Sequence, residues 1–213
     1  MLATPYVDAA AALGTLIGAI IATSDGLSNM ERAQRDVNDA VSAAEKAQEE
    51  YNAATEQAIS VASDDKSATE DRRKAMNLLI SRYPSIIQKY IDEEGHLRNI
   101  LQMKREIANI DGDRVVSGYQ NKSKDADRAA RAFKAIQKAK KDALLSGSGE
   151  GQYMRFLNKQ QQEDATWAIG WYKKARDLKW YQPDGSTQDM LEYAQGQSAA
   201  YREKAKQQNA TNH

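Results

Sequence analysis

The sequence predicts an all-α protein: an elongated bundle of coiled-coil-like hairpins, preceded by a short apolar N-terminal helix. Three observations predict it. Alanine, the best helix former, supplies 34 of 213 residues, and there are only three prolines to interrupt it. Leu, Ile, Val and Phe together also number 34, too few for a thick globular core because burial energy scales with apolar area. Apolar and small residues between 30 and 61 alternate at spacings of three and four, the period of a helix seam.

Composition also removes functions. The 30 Lys+Arg balance 30 Asp+Glu, so the chain lacks the net charge of a disordered segment and the basic excess of a general nucleic-acid binder. Zero cysteines exclude thiolate zinc sites, iron–sulfur clusters, disulfide scaffolds and cysteine nucleophiles. Two histidines, His96 and His213, leave almost nothing for a His-based metal centre or a Ser-His-Asp triad.

Residues 1–26 form the apolar N-terminal region. Ala9 to Ala22 is a run of fourteen residues without a charge. As a helix it spans about 21 Å, short of the roughly 30 Å hydrocarbon core of a bilayer. No Lys or Arg precedes Arg32, and Asp8 stands where a signal peptide carries its basic region, which argues against a secretory signal. Gly14 and Gly18 form a GxxxG pair that lets helix backbones approach closely. Leu13, Gly14, Leu16, Ile17, Gly18, Ile20 and Ile21 are therefore the candidate contacts, with a bilayer or with the core of an oligomer.

Residues 27–145 form the long helical region. Ser28 or Asn29 caps its first helix. The seam then runs through Met30, Ala33, Val37, Ala40, Ala44, Ala47, Tyr51, Ala54, Ala58 and Val61. An alanine seam offers little burial per heptad but close approach, which suits a crowded bundle. Asp64-Asp65-Lys66 breaks it, Ser67 to Glu70 has the form of a capping box, and Pro84 ends or kinks the next helix. Ile86 to Ile110 is richest in large aliphatics and is expected to hold the firmest core. His96 is placed on that helix as a solvated or paired side chain. Asp111-Gly112-Asp113 signals a turn.

Residues 122–141 carry eight Lys or Arg against two Asp, whereas residues 31–70 carry ten acids against four bases. The basic face comprises Lys124, Arg128, Arg131, Lys134, Lys138 and Lys141. Its apolar counterpart runs from Ala126 through Phe133 and Ile136 to Leu144. Pairing of the acidic and basic helices, within or between subunits, ranks first, an anionic membrane second and nucleic acid third.

Residues 146–151 read as a Gly/Ser linker, without the GK[ST] ending of a phosphate loop. Residues 152–213 form an aromatic, Gln-rich helical region holding nine of the fifteen aromatics. Trp167, Trp171 and Trp180 are candidate interface aromatics, with ordinary core as the competing reading. No pair of carboxylates stands out as acid and base, and Glu93 to His96 supplies one copy of a Glu-x-x-His spacing where a di-metal bundle wants two. Neither enzyme activity nor a catalytic residue, metal or cofactor is expected.

The whole layout resembles the internal virion (ejection) proteins of short-tailed bacteriophages. The residues that carry the resemblance are the apolar Ala9 to Ala22, the alanine seam from Met30 to Val61, and Gln-rich stretches such as Gln160-Gln161-Gln162. It implies a structural protein stored in the virion interior and released into the host cell envelope, where it oligomerises into part of a channel for DNA delivery. The implied partners are copies of itself, other virion proteins and a membrane, with DNA contacted non-specifically at most. The alternative class is a cellular coiled-coil scaffold or a peripheral-membrane or secretion-system component, bacterial membrane-associated or cytoplasmic.

Overall fold

The computed structural model describes residues 28–175 and 186–211. The predicted N-terminal helix with its candidate contacts Leu13 to Ile21, and Trp180, lie outside the described residues. Within them the chain is all α, as predicted.

Helix α1 (Asn29–Ser63) starts at Ser28, whose hydroxyl accepts the Glu31 N–H while the Glu31 carboxylate accepts the Ser28 N–H at 2.8 Å. This is the reciprocal cap that satisfies orphan donors at a helix start. The capping box predicted at Ser67 to Glu70 does not form. The Ser67 hydroxyl donates to Asp64 in the preceding turn at 3.0 Å, and α2 (Thr69–Arg82) starts at Ala68 with no side-chain cap. Pro84 acts as predicted: α2 stops at Arg82, and the short α3 (Pro84–Tyr90) begins with the proline, whose missing N–H costs nothing there.

Residues 91–99 form a turn, closed by a bridge between Ile91 and Leu97. His96 therefore sits in this turn and not on a helix. The reason is Asp92, whose carboxylate accepts the N–H groups of Glu94 (3.0 Å) and His96 (2.8 Å) and competes with helical bonding. Asn99, in the left-handed region at φ 50°, turns the chain into α4 (Ile100–Leu145), which at 46 residues is about 69 Å long. The turn predicted at Asp111-Gly112-Asp113 is absent, and α4 runs straight through it. A mid-helix glycine costs about 1 kcal/mol, less than the contacts a continuous helix makes on either side.

After Leu145, residues 146–149 reverse the chain, with Gly147 and Gly149 at positive φ, and a 3-10 helix spans Glu150–Phe156. Then come α5 (Lys159–Ala175) and α6 (Thr187–Thr211).

Helix α6 lies between α1 and α4. It runs parallel to α1, where Asn29 bonds Asp189 (2.8 Å) and Tyr193 bonds Asp36 (2.7 Å). It runs antiparallel to α4, where Gln137 bonds Gln188 (2.7 Å) and Ser123 meets Ser198 (3.2 Å). At the other end of the bundle α2 packs on α1, and α3 on α4. Three apolar clusters result. One joins Ala33, Phe133, Ala165, Tyr172 and Tyr193, drawing residues from both sides of the 146–151 stretch. A second joins Ile59, Leu79, Ile86, Ile87, Met103 and Ile107, where the aliphatic-rich run predicts the firmest core. The third, between them, holds Val37, Val41, Tyr119 and Tyr201.

The predicted seam is followed at its two ends. Ala33, Val37, Ala40 and Ala58 are buried; Ala44, Ala47, Tyr51, Ala54 and Val61 are half-buried; Met30 is exposed. Thr55, Ile59 and Ala62 are buried beside it. A straight helix drifts about 20° per heptad against a strict seven-residue repeat, so the buried face rotates off the seam along 35 residues.

Candidate functional site

Most polar groups inside the bundle are engaged with one another. The Tyr83 hydroxyl donates to buried Asp111 at 2.5 Å, and the other Asp111 oxygen accepts from Arg114 at 3.1 Å. Arg82 donates to the Thr55 hydroxyl (2.7 Å) and the Tyr51 carbonyl (3.1 Å), with its guanidinium 4.0 Å above the Tyr51 ring. Burial first, and then the Asp111 hydrogen bond, push the Tyr83 phenol well above the ordinary tyrosine range. This network ties α1, α2 and α4 where α2 breaks at Pro84. No signal in the sequence marked it, because its members are 28 and 31 residues apart along the chain.

Asp92, Glu94 and His96 are the one group among the described residues whose carboxylate and imidazole atoms converge as metal ligands would, within 4.8 Å. It is Glu94 that joins His96, not Glu93, whose Glu-x-x-His spacing the sequence shows once without a metal site being expected from it. The arrangement is already satisfied without a cation. Asp92 accepts the two N–H groups of its own turn and an Arg98 N–H at 2.6 Å, and these bonds hold its pKa below the usual aspartate value, the His96 N–H contributing most. A guanidinium on the ligand carboxylate opposes cation binding.

The basic face of α4 is divided. Arg128 is half-buried: it bonds Asp164 of α5 at 2.6 and 2.9 Å and covers the Trp167 ring at 4.3 Å. That bond, as the largest influence, lowers the Asp164 pKa. Asp127 accepts from Ser198 at 2.7 Å and from Arg202, so α6 too is pinned through the basic segment. Lys124, Arg131, Lys134, Lys138 and Lys141 remain exposed, at spacings of 7, 3, 4 and 3 that place them on one flank. Lys124, Lys134, Lys138 and Lys141 have no ion pair among the described residues. The acidic helix α1 does not lie against this flank, because α6 intervenes. Its cross-helix ion pair to α4 is Glu56 with Lys104, outside the basic segment.

Trp167 and Trp171 pack, partly buried, on the chain's own first cluster, Trp171 tilted against Tyr193 with ring centroids 6.3 Å apart. The apolar face of α4 ends one residue earlier than predicted. Ala143 is buried, whereas Leu144 is 59% and Leu145 77% exposed. A shallow groove of about 530 Å³ between α1 and α2 is lined by Ala54, Ala58, Val61, Ala75 and Leu78 together with Gln57, Ser67, Asp71 and Lys74. No helix of the described residues is long and apolar enough to cross a membrane. Comparison with protein-family models, with curated proteins and with solved structures returns no match.

Proposed function

We propose that the chain is a structural, self-assembling protein that works at a polyanionic surface, of the kind short-tailed phages store in the virion and eject into the host envelope to build part of a channel for DNA. One observation carries the reading: the bundle spends its interior polar groups on holding helices together and leaves Lys124, Lys134, Lys138 and Lys141, which have no ion pair among the described residues, facing outward on one flank. A net-neutral chain with such a flank has charge segregated for docking on phosphate, on acidic neighbours, or on both. The apolar residues 9–22 supply the second contact with membrane or with other copies.

The test is the mass of the full-length protein, free and on vesicles of anionic phospholipid, at low and high salt, with release of a trapped dye recorded alongside. The reading expects a defined multimer and dye release. Reversal of Lys134 and Lys138 to Glu weakens the multimer or its binding most at low salt, where screening is least. A monomer in every condition overturns self-assembly. Recovery of the protein from uninfected cells, in multimers that ignore vesicles, would make it a cellular scaffold instead.

A further inference from the structure

The exposed end of α4 adds a feature that the basic flank alone does not require. Leu145 continues the stripe of Lys134, Lys138 and Lys141 at spacings of 4, 3 and 4, so the unpaired lysines lead along one face into an exposed leucine. Leu144 stands beside it, 59% exposed, and Leu145 itself is 77% exposed. Single exposed apolar residues are ordinary, but an adjacent pair of exposed leucines at the tip of a lysine stripe is not. The acids nearby are Glu150, bonded to Lys140 at 2.7 Å, and half-buried Asp142.

The start of α1 lies at the same end. Asn29 and Gln137 both bond the first turn of α6, which places the start of α1 level with residue 137 of α4. Leu145 lies eight residues further on, about 12 Å along the axis. Met30, 53% exposed, belongs to this end as well.

We propose that this end is a docking site for an anionic lipid bilayer, with Leu144 and Leu145 entering the headgroup boundary and Lys138 and Lys141 meeting lipid phosphates. The proposal rests on the envelope reading above and locates a contact within it that is separate from residues 9–22. Lys138 and Lys141 sit within about 10 Å of the tip along the helix, near the Debye length at physiological salt, so their attraction reaches a surface the leucines touch. A DNA-binding flank would need the lysines but would gain nothing from two leucines projecting beyond them.

The experiment uses the full chain and its variants Leu144→Ser/Leu145→Ser and Lys138→Glu/Lys141→Glu. Each is floated with neutral phosphatidylcholine vesicles and with vesicles containing phosphatidylserine, and titrated with duplex DNA. Circular dichroism confirms that the fold is kept, which the exposure of all four positions favours. The expected result is a partition onto phosphatidylserine vesicles lowered about tenfold or more by either variant, with little binding to neutral vesicles. Full-chain binding that neither variant changes overturns the tip site and leaves the envelope reading to residues 9–22. No binding of the full chain to either vesicle overturns both. Loss of DNA binding in the lysine variant, with vesicle binding and the leucine variant unaffected, assigns the flank to nucleic acid and overturns the bilayer site.

Discussion

Gly196 of α6 faces Ala33 of α1 so closely that a Cβ at position 196 would stand 2.8 Å from the Ala33 Cβ and 3.3 Å from the Met30 backbone. Both neighbours belong to a helix and cannot swing aside. Gly196→Ala therefore trades about 1 kcal/mol of helix propensity against overpacking of about 1–3 kcal/mol, and the net sign is destabilising. Gly196→Val should be worse. Urea denaturation of the three proteins checks the order, and an alanine variant more stable than the natural chain would contradict it.

Tyr83 and Asp111 hold the waist of the bundle. Asp111→Ala strips partners from both the Tyr83 hydroxyl and Arg114, and should cost about 2–4 kcal/mol, because unpaired buried groups lose their solvation without return. Tyr83→Phe leaves Asp111 its Arg114 bond and should cost about 1–2 kcal/mol. The double variant should lose less than the sum, which a mutant cycle in urea measures.

Stability should fall at both extremes of pH for different groups. Tyr83, Tyr119 and Tyr201 are each pushed above the ordinary value of 10.0, burial being the largest cause. Their neutral forms favour the fold fully below pH 10, and that contribution is lost as pH rises above it, so phenolate absorbance should appear together with unfolding. Asp164 is held below 3.8 chiefly by Arg128; for Asp127 burial opposes ionisation, but the bonds from Ser198 and Arg202 outweigh it. Their contribution is present above pH 3.8 and lost as pH falls below it. Asp164→Asn should be less stable at neutral pH and should show a shallower acid limb.

Leu79, fully buried in the second cluster, should cost about 2–5 kcal/mol when cut to Ala. Leu101, 68% exposed and one residue into α4, should cost under about 0.5 kcal/mol. Met30→Ala should likewise be nearly silent for stability, although the heptad pattern assigns it to the seam. Thermal melts of the three variants separate the buried face from the periodic one.

Local chemistry was legible in the chain. Pro84 stops a helix wherever it stands, Ser28 as one of two candidate caps starts the first helix, and alanine-rich windows are helical whatever they pack on. The misreadings arose where two local signals competed. Ser67 is claimed by Asp64 before it can cap, Asp92 gathers N–H groups that a helix would use, and Gly112 is carried through by packing on either side. The basic flank was likewise visible as a stripe. Withdrawal of Arg128 to Asp164 and exposure of Leu145 were not, because both depend on where α5 and the 3-10 helix come to rest. Residues 30–61 show the division in one helix. Periodicity is a property of the chain and settled that this segment is helical with one small-residue face. Which alanines of that face are buried was decided by α6 lying on its first half and α2 on its second, since burial belongs to contacts between segments about thirty to a hundred and sixty residues apart.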